Sequence, residues 1–336
     1  MVSADIASAA VVSSPVLAVE GLSVSFASEA GDAAVLQDVS FQVARGETMA
    51  LVGESGCGKS VTALSILGLI DEPGRIDGGS IRLNGEELVG RTEKELRELR
   101  GSRIGMVFQE PMTSLNPVFT IGFQIGEVLR RHRGMSEAQA RKESIRLLHQ
   151  VGIPSPERRV DQYPHELSGG MKQRAMIAMA LTCKPDLLIA DEPTTAVDVT
   201  IQAQILQLLR DLQRQMGMSV LLITHNLGVV AHFAQHVAVM YAGQIAEQAG
   251  VVELFATPAH PYTRALLAAL PRPGHKGERL RSIEGTVPAP QDYAAGCRFC
   301  TRCPDVMPRC AVEIPPRLEI AADHEVACWR VAEKQD

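Results

Sequence analysis

One octapeptide, Gly53-Glu54-Ser55-Gly56-Cys57-Gly58-Lys59-Ser60, constrains this chain more than any other stretch. It fits the pattern G-x-x-x-x-G-K-[ST]. The apolar run Met49-Ala50-Leu51-Val52 leads into it, and an apolar stretch of helical character follows from Val61 to Leu69. Strand, glycine-rich loop and helix in that order are what a phosphate-cradling loop requires. Glycines let backbone N–H groups turn inward around a phosphate, and the helix N-terminus adds favourable potential. Lys59 can reach the β- and γ-phosphates of a nucleotide, and Ser60 can place its hydroxyl on Mg²⁺. Gly53, Ser55, Gly56, Cys57, Gly58 and Val61 complete the candidate phosphate-binding set.

The rest of the chain supplies the frame. From about Val16 to Val43 apolar and polar residues alternate, as in half-buried antiparallel strands. Ile81–Glu86 adds a strand and turn, and Ile104–Phe108 a short buried strand ending at Gln109. Helical spacing then takes over, at Ile121, Ile125, Val128 and Leu129 and again at Ile145 and Leu148, which predicts a helical subdomain over about residues 110–180. The runs Leu187–Asp191 and Val220–Thr224 read as central parallel strands. After Leu270 the composition changes. Pro271–Gly277 reads as a linker, and a Pro- and Cys-rich tail follows. The expected organisation is a lead-in over 1–15, a nucleotide-binding domain over 16–270 and an extension over 271–336. With 46% hydrophobic and 21% charged residues, the 336-residue chain can bury a large core. A net charge of −6 without a dense Lys/Arg stripe argues against a nucleic-acid partner. No apolar run is long enough to span a bilayer, and the N-terminal stretch lacks the basic residues of a secretory signal, so a cytosolic setting is expected.

Asp191 and Glu192 close the strand at 187–190, where an acidic pair can hold the Mg²⁺ shell and polarise an attacking water. Leu167-Ser168-Gly169-Gly170-Met171-Lys172-Gln173-Arg174 offers a capping serine and glycines that admit a phosphate to the backbone. With the phosphate loop, Asp191-Glu192 and His225, this stretch resembles the signature of ATP-binding cassette (ABC) ATPases. The resemblance covers about Val16 to Leu270. It implies a phosphate-loop α/β fold with an antiparallel β subdomain and an inserted helical subdomain. It implies that Phe26 stacks on adenine, that Gln109 senses Mg²⁺ and the attacking water, and that Glu192 and His225 act on the γ-phosphate. It also implies that Ser168, Gly169 and Gly170 clamp ATP held by an opposite subunit, and that Asp198 links the two sites. A second cassette is then obligatory.

Finer stretches are similar to the peptide and nickel importer branch, in its D-type subunits: Gln109–Pro117, Met171–Leu181, Asp198–Gln204 and His260–Leu267. That likeness implies two transmembrane permease subunits, a second, non-identical ATPase, an external solute-binding protein, and a peripheral position on the cytoplasmic side of the inner membrane. Glu110–Gly126 would dock on the permease. Asn226 departs from the family's usual Asp. The alternatives are a soluble ABC ATPase of translation or repair, which typically carries two cassettes or long coiled coils, and a protein regulated through its cysteine-rich tail.

Five of the seven cysteines, Cys297, Cys300, Cys303, Cys310 and Cys328, fall in the tail. A short segment with little core needs a staple, and a cytosolic setting favours metal over disulfides. The peptide-permease likeness implies a [4Fe–4S] cluster on Cys297, Cys303, Cys310 and Cys328, leaving Cys300 spare. Tetrathiolate zinc is the rival.

Overall fold

The computed structural model describes residues 14–28, 31–110, 114–194, 198–270 and 283–334. Most of the N-terminal lead-in, Pro111–Thr113, Thr195–Val197 and the Pro271–Gly277 linker lie outside the described residues.

The alternating segments form one sheet and the continuous apolar runs another. Leu17–Ser28 (β1) pairs antiparallel with Gly31–Val43 (β2) and with Gly74–Leu83 (β4), and Glu86–Glu87 (β5) closes the order β2-β1-β4-β5. Alternation sends Leu17, Val19, Leu22 and Val24 to the buried face, so this sheet is wet on one side only. The second sheet runs, strand by strand, Arg317–Ala321 (β11), His324–Ala327 (β12), Gln244–Gly250 (β10), His236–Tyr241 (β9), Thr48–Val52 (β3), Ser219–Thr224 (β8), Leu187–Asp191 (β7) and Ile104–Val107 (β6). Its middle is parallel: β3 lies between β8 and β9, and β7 between β8 and β6. Every residue of β3, β7 and β8 is buried, as a strand covered on both faces must be.

One face of this sheet, with the antiparallel sheet and the helix Lys59–Leu67, encloses a core of Leu51, Ile66, Ile81, Leu187 and Ile223 among others. The other face packs the helical subdomain. There Ile121, Ile125 and Leu129 of the helix Ile121–Arg133 and Leu147 and Leu148 of the helix Glu137–Gln150 meet Ala175 and Met176 of the helix Gly169–Ala180. Each large aliphatic side chain buried this way contributes roughly 1.5–3 kcal/mol relative to exposure. Thr120 and Ser136 cap the first two helices, and Gln139 completes a capping box with Ser136.

The tail is built into the main sheet. It is not a separate appendage, because Arg317–Ala321 (β11) and His324–Ala327 (β12) extend the main sheet by pairing β12 with Gln244–Gly250 (β10). Short, mixed-composition strands of this kind carry no periodicity strong enough to read. The junction is sealed by Glu247, fully buried on β10. Its carboxylate accepts from the N–H groups of Ala259 (2.7 Å) and His260 (2.9 Å) and bonds His324 Nε2 (2.8 Å). Phe299 stacks edge-on against Tyr241 and packs beside Tyr262, adding tail residues to the cassette core.

Candidate active site

Parallel pairing sets the site. In register, Val52 lies beside Thr224, Ile223 beside Asp191, and Ala190 beside Val107. The residues that follow these strand ends therefore emerge along one edge: Gly53, Asp191-Glu192, His225 and Gln109. Carboxyl ends of parallel strands are where α/β sheets hold ligands.

The phosphate loop is tightly seated. A Cβ at Gly53 would stand 2.2 Å from the Met240 carbonyl oxygen, so no larger residue fits there. Gly58 has φ +109° at the helix N-cap, a conformation that only glycine takes easily. Lys59 is buried, and its Nζ donates to the carbonyls of Gly53 (2.8 Å) and Glu54 (3.0 Å), holding its charge over the loop. Ser55 and Gly56 are exposed at the loop crest, while Cys57 is buried. Burial pushes the Cys57 thiol up, against the nearby Lys59 ammonium, which draws it down. Val61, partly buried, follows in the first turn of the helix.

Two carboxylates occupy the end of β7. Burial pushes the Asp191 carboxyl up, the Ser60 hydroxyl draws it down, and Glu192 raises it again. Its Oδ1 is buried with no hydrogen-bond partner. An orphaned carboxylate oxygen beside a serine hydroxyl is an oxygen donor set for a hard cation, so Asp191 and Ser60 fit Mg²⁺. Glu192 is held by strain and by partners. It adopts φ +43°, fixed by its N–H bond to the Ile223 carbonyl (2.8 Å). Its Oε1 lies 2.9 Å from His225 Nδ1 and its Oε2 accepts from Gln109 Nε2 at 3.3 Å. Gln109, Glu192 and His225, widely separated in sequence, are thus one constellation.

Other expected residues make local contacts of their own. Ser168 caps the helix Gly169–Ala180 by accepting the Met171 N–H (3.4 Å), with Ser168 and Gly169 exposed on the helical subdomain. Asp198 caps the helix Val199–Met216 by accepting the Ile201 N–H at 2.9 Å. Phe26, half-buried on β1, packs against Gly74 and Ile70. Asn226 caps the helix Leu227–Phe233, its Oδ1 accepting from Gly228 (3.0 Å) and Val229 (3.3 Å). Val118 and Phe119 are exposed and Phe119 stacks on Phe123, but Leu115 in the same stretch is core. The sequence reading missed Tyr262, whose hydroxyl accepts the Glu54 N–H at 3.0 Å, and Arg302, which pairs with Glu54.

Residues 36–195 match the family described as ABC transporter, and residues 246–310 the family described as Oligopeptide/dipeptide transporter, C-terminal region. The dipeptide transport ATP-binding protein DppD of Bacillus subtilis (strain 168) is 50% identical over 315 residues, covering 94% of each chain. DppD of Escherichia coli (strain K12) is 50% identical over 307 residues, covering 91% of this chain and 94% of that one. The chain belongs to the ABC transporter family of ATP-binding proteins. A solved dimeric ATP-binding cassette bound to ADP and Pi aligns with a TM-score of 0.63 at 26% identity, over 70% of this chain and 98% of that one. This ABC protein is an ATPase coupled to transport. Among its described residues no helix is long and apolar enough to cross a membrane.

In the tail of this ABC protein, the sequence reading puts a metal on Cys297, Cys303, Cys310 and Cys328. Among the described residues, no group of three or more His, Cys, Asp or Glu side chains is arranged to hold a metal ion. Cys310 and Cys328 are buried, and Cys297 and Cys303 are half-buried. Cys297 and Cys303 lie against the Tyr262–Phe299 core, and Cys310 lies with Cys300 and Met307. Burial pushes Cys297 up to about 12 and Cys303 up to about 11.

Proposed function

We propose that this chain is the ATP-hydrolysing subunit, on the cytoplasmic side of the membrane, of a permease complex that imports di- or oligopeptides. The observation that carries this reading is the single edge holding Lys59, Ser60, Asp191, Glu192, Gln109 and His225, joined to a C-terminal region of oligopeptide/dipeptide type. Phosphoryl transfer needs positioning and charge neutralisation more than covalent help. The phosphate loop and Lys59 bind the phosphates. Asp191 and Ser60 would hold Mg²⁺, which neutralises phosphate charge when bound. Glu192 orients the attacking water, with Gln109 and His225 fixing its carboxylate from two sides. Phe26 would meet the adenine.

Ser168 and Gly169 of the signature are exposed on the helical subdomain, where they could meet ATP held by an opposite subunit, which supports a second cassette completing the site, with Asp198 at the junction. We assign that partner to a non-identical ATPase. The exposed pair Phe119 and Phe123, stacked at 4.6 Å, supports a docking face for a transmembrane permease subunit. Domain bounds of 16–270 and 271–336 fit this division of labour, although the sheet runs through both.

For the tail we propose the [4Fe–4S] cluster on Cys297, Cys303, Cys310 and Cys328. Cys297 packs against Cys300 and Cys310, and its N–H donates to the Cys310 carbonyl at 2.8 Å, which brings these cysteines of the tail together. Such a cluster would act as a structural staple.

The test is purification of the intact membrane complex under anaerobic conditions. Two different ATPase chains, peptide-stimulated ATP turnover, and iron and acid-labile sulfide near about four each per chain are expected. A single ATPase species overturns the hetero-assembly, and stoichiometric zinc without iron overturns the cluster.

A further inference from the structure

Arg302, one residue before Cys303, reaches into the phosphate loop. Its Nη1 lies 2.7 Å from Glu54 Oε2 and its Nη2 lies 3.1 Å from Glu54 Oε1, a two-point pairing of guanidinium and carboxylate. The Arg302 side chain is only 5% exposed. Its remaining donors are engaged as well: Nε donates to the Glu284 carbonyl (2.8 Å) and Nη2 to that of Gly285 (3.1 Å). A second tail arginine acts one step removed. Arg298 is buried and donates to the Ala242 carbonyl, in the turn whose Gly243 N–H donates to the Cys57 carbonyl at 2.8 Å. With the Tyr262 hydroxyl on the Glu54 N–H, groups outside the loop grip it at Glu54 and at Cys57.

This grip has an electrostatic consequence. Glu54 puts a carboxylate in a loop whose ligand is polyanionic. Unpaired, that charge opposes phosphate; paired with Arg302, it is neutralised and the loop is fixed in one conformation. We propose that Arg302 is a positioning residue for the nucleotide, through which the cysteine-rich segment sets the affinity of the phosphate loop for ATP. The proposal rests on reading Gly53–Ser60 as the phosphate loop, which Lys59→Ala tests independently.

The experiment uses the full-length chain in its membrane complex, with a fluorescent ATP analogue for binding and steady-state turnover for KM and kcat. Arg302→Met should raise both Kd and KM on the order of tenfold, the loss expected of a charge-assisted contact. It should leave kcat at saturation nearly unchanged, because Arg302 does not touch the reacting atoms. Adding Glu54→Gln removes the exposed charge and should recover most of the affinity, a rescue that a merely structural arginine would not give. Arg302→Lys, which keeps the charge but loses the fork, should fall between. Should Arg302→Met fail to accumulate, Arg302→Lys and the double variant carry the same test. Unchanged affinity in Arg302→Met, or in Arg302→Lys if that is the variant in hand, overturns the proposal. So does a folded double variant as weak as Arg302→Met or, in its stead, no tighter than Arg302→Lys.

Discussion

Two glutamates, Glu192 and Glu247, show how differently this chain treats a carboxylate. Glu247 is fully buried where the tail joins the main sheet, and both its oxygens are engaged by backbone N–H groups and His324. Glu192 stands at the open edge on a positive φ, its partners His225 and Gln109 both exposed, beside an Asp191 oxygen with no partner at all. The first site satisfies every polar atom and so stabilises. The second leaves strain and an orphaned acceptor, which a fold retains where a ligand completes the set. Burial alone therefore does not mark function; incomplete satisfaction beside a phosphate loop does.

The sharpest way to break this contrast is to neutralise each glutamate in turn. Glu192→Gln should cut ATP turnover about 10²- to 10⁴-fold, with ATP binding kept. Glu247→Ala should leave turnover per folded molecule intact but cost about 3–5 kcal/mol of stability, because it strands buried donors. Single-turnover kinetics and denaturant unfolding separate the two. A Glu247 variant that folds as well as the parent, or a Glu192 variant that turns over normally, dissolves the distinction.

The buried junction also predicts a pH effect. Burial pushes His260 down to about 3 from its ordinary 6.5, while its Nδ1 accepts the Tyr262 N–H at 3.0 Å as a helix cap. The folded-state value is depressed, so the unfolded chain takes up the proton first. Stability present above pH 6.5 is then lost as pH falls toward 3, at about 1.4 kcal/mol per pH unit. His260→Asn, which can still cap, should flatten this acid limb. Identical pH dependence in the two proteins would remove His260 from the account.

The same contrast explains what the sequence disclosed. The placement of Lys59, Asp191, Glu192 and His225 along one edge was legible because each lies at or beyond the end of an apolar strand within a short motif, and parallel strand order brings such ends together. The cassette sheets were legible from their periodicity. The grip on the loop was not, because Arg302 and Glu54 are 248 positions apart and no local pattern links them. Strands β11 and β12 were missed for a related reason: β11 is an edge strand with no buried residue and β12 is only four residues long, and Glu247 meets His324 only once β10 and β12 pair. The cysteines were conspicuous as letters, but whether a thiol packs or ligates depends on neighbours that sequence does not supply.

Asp191 sharpens the comparison at the reactive edge itself. Its pKa is raised in the fold, chiefly by burial, so the charged carboxylate costs stability that accrues as pH rises above its ordinary range. Asp191→Asn should then make the nucleotide-free protein more stable near neutral pH, by about 0.5–2 kcal/mol, the usual return for relieving a functional site. It should at the same time abolish the extra thermal stabilisation given by Mg²⁺ with ATP. A variant less stable than the parent, with Mg²⁺-dependent stabilisation intact, would return Asp191 to the ordinary buried class of Glu247.

The smallest expected effect concerns Asn226, the residue after His225 that departs from the usual Asp. At the reactive edge such a change invites a functional explanation, but the geometry gives a local one. Its Oδ1 accepts two helix N–H groups, from Gly228 and Val229, which an Asp carboxylate does equally well. Asn226→Asp should therefore shift stability by less than about 0.5 kcal/mol, the scale of a neutral surface change, and leave turnover alone. Asn226→Ala should cost about 1 kcal/mol through the lost cap. Because the cap seats the turn that carries His225, it should also weaken the His225–Glu192 contact and lower turnover slightly. A large turnover change in Asn226→Asp at constant stability would mean that the charge at this position, and not the cap, bears on the γ-phosphate. Asn226 would then join Glu192 on the reactive side of the comparison.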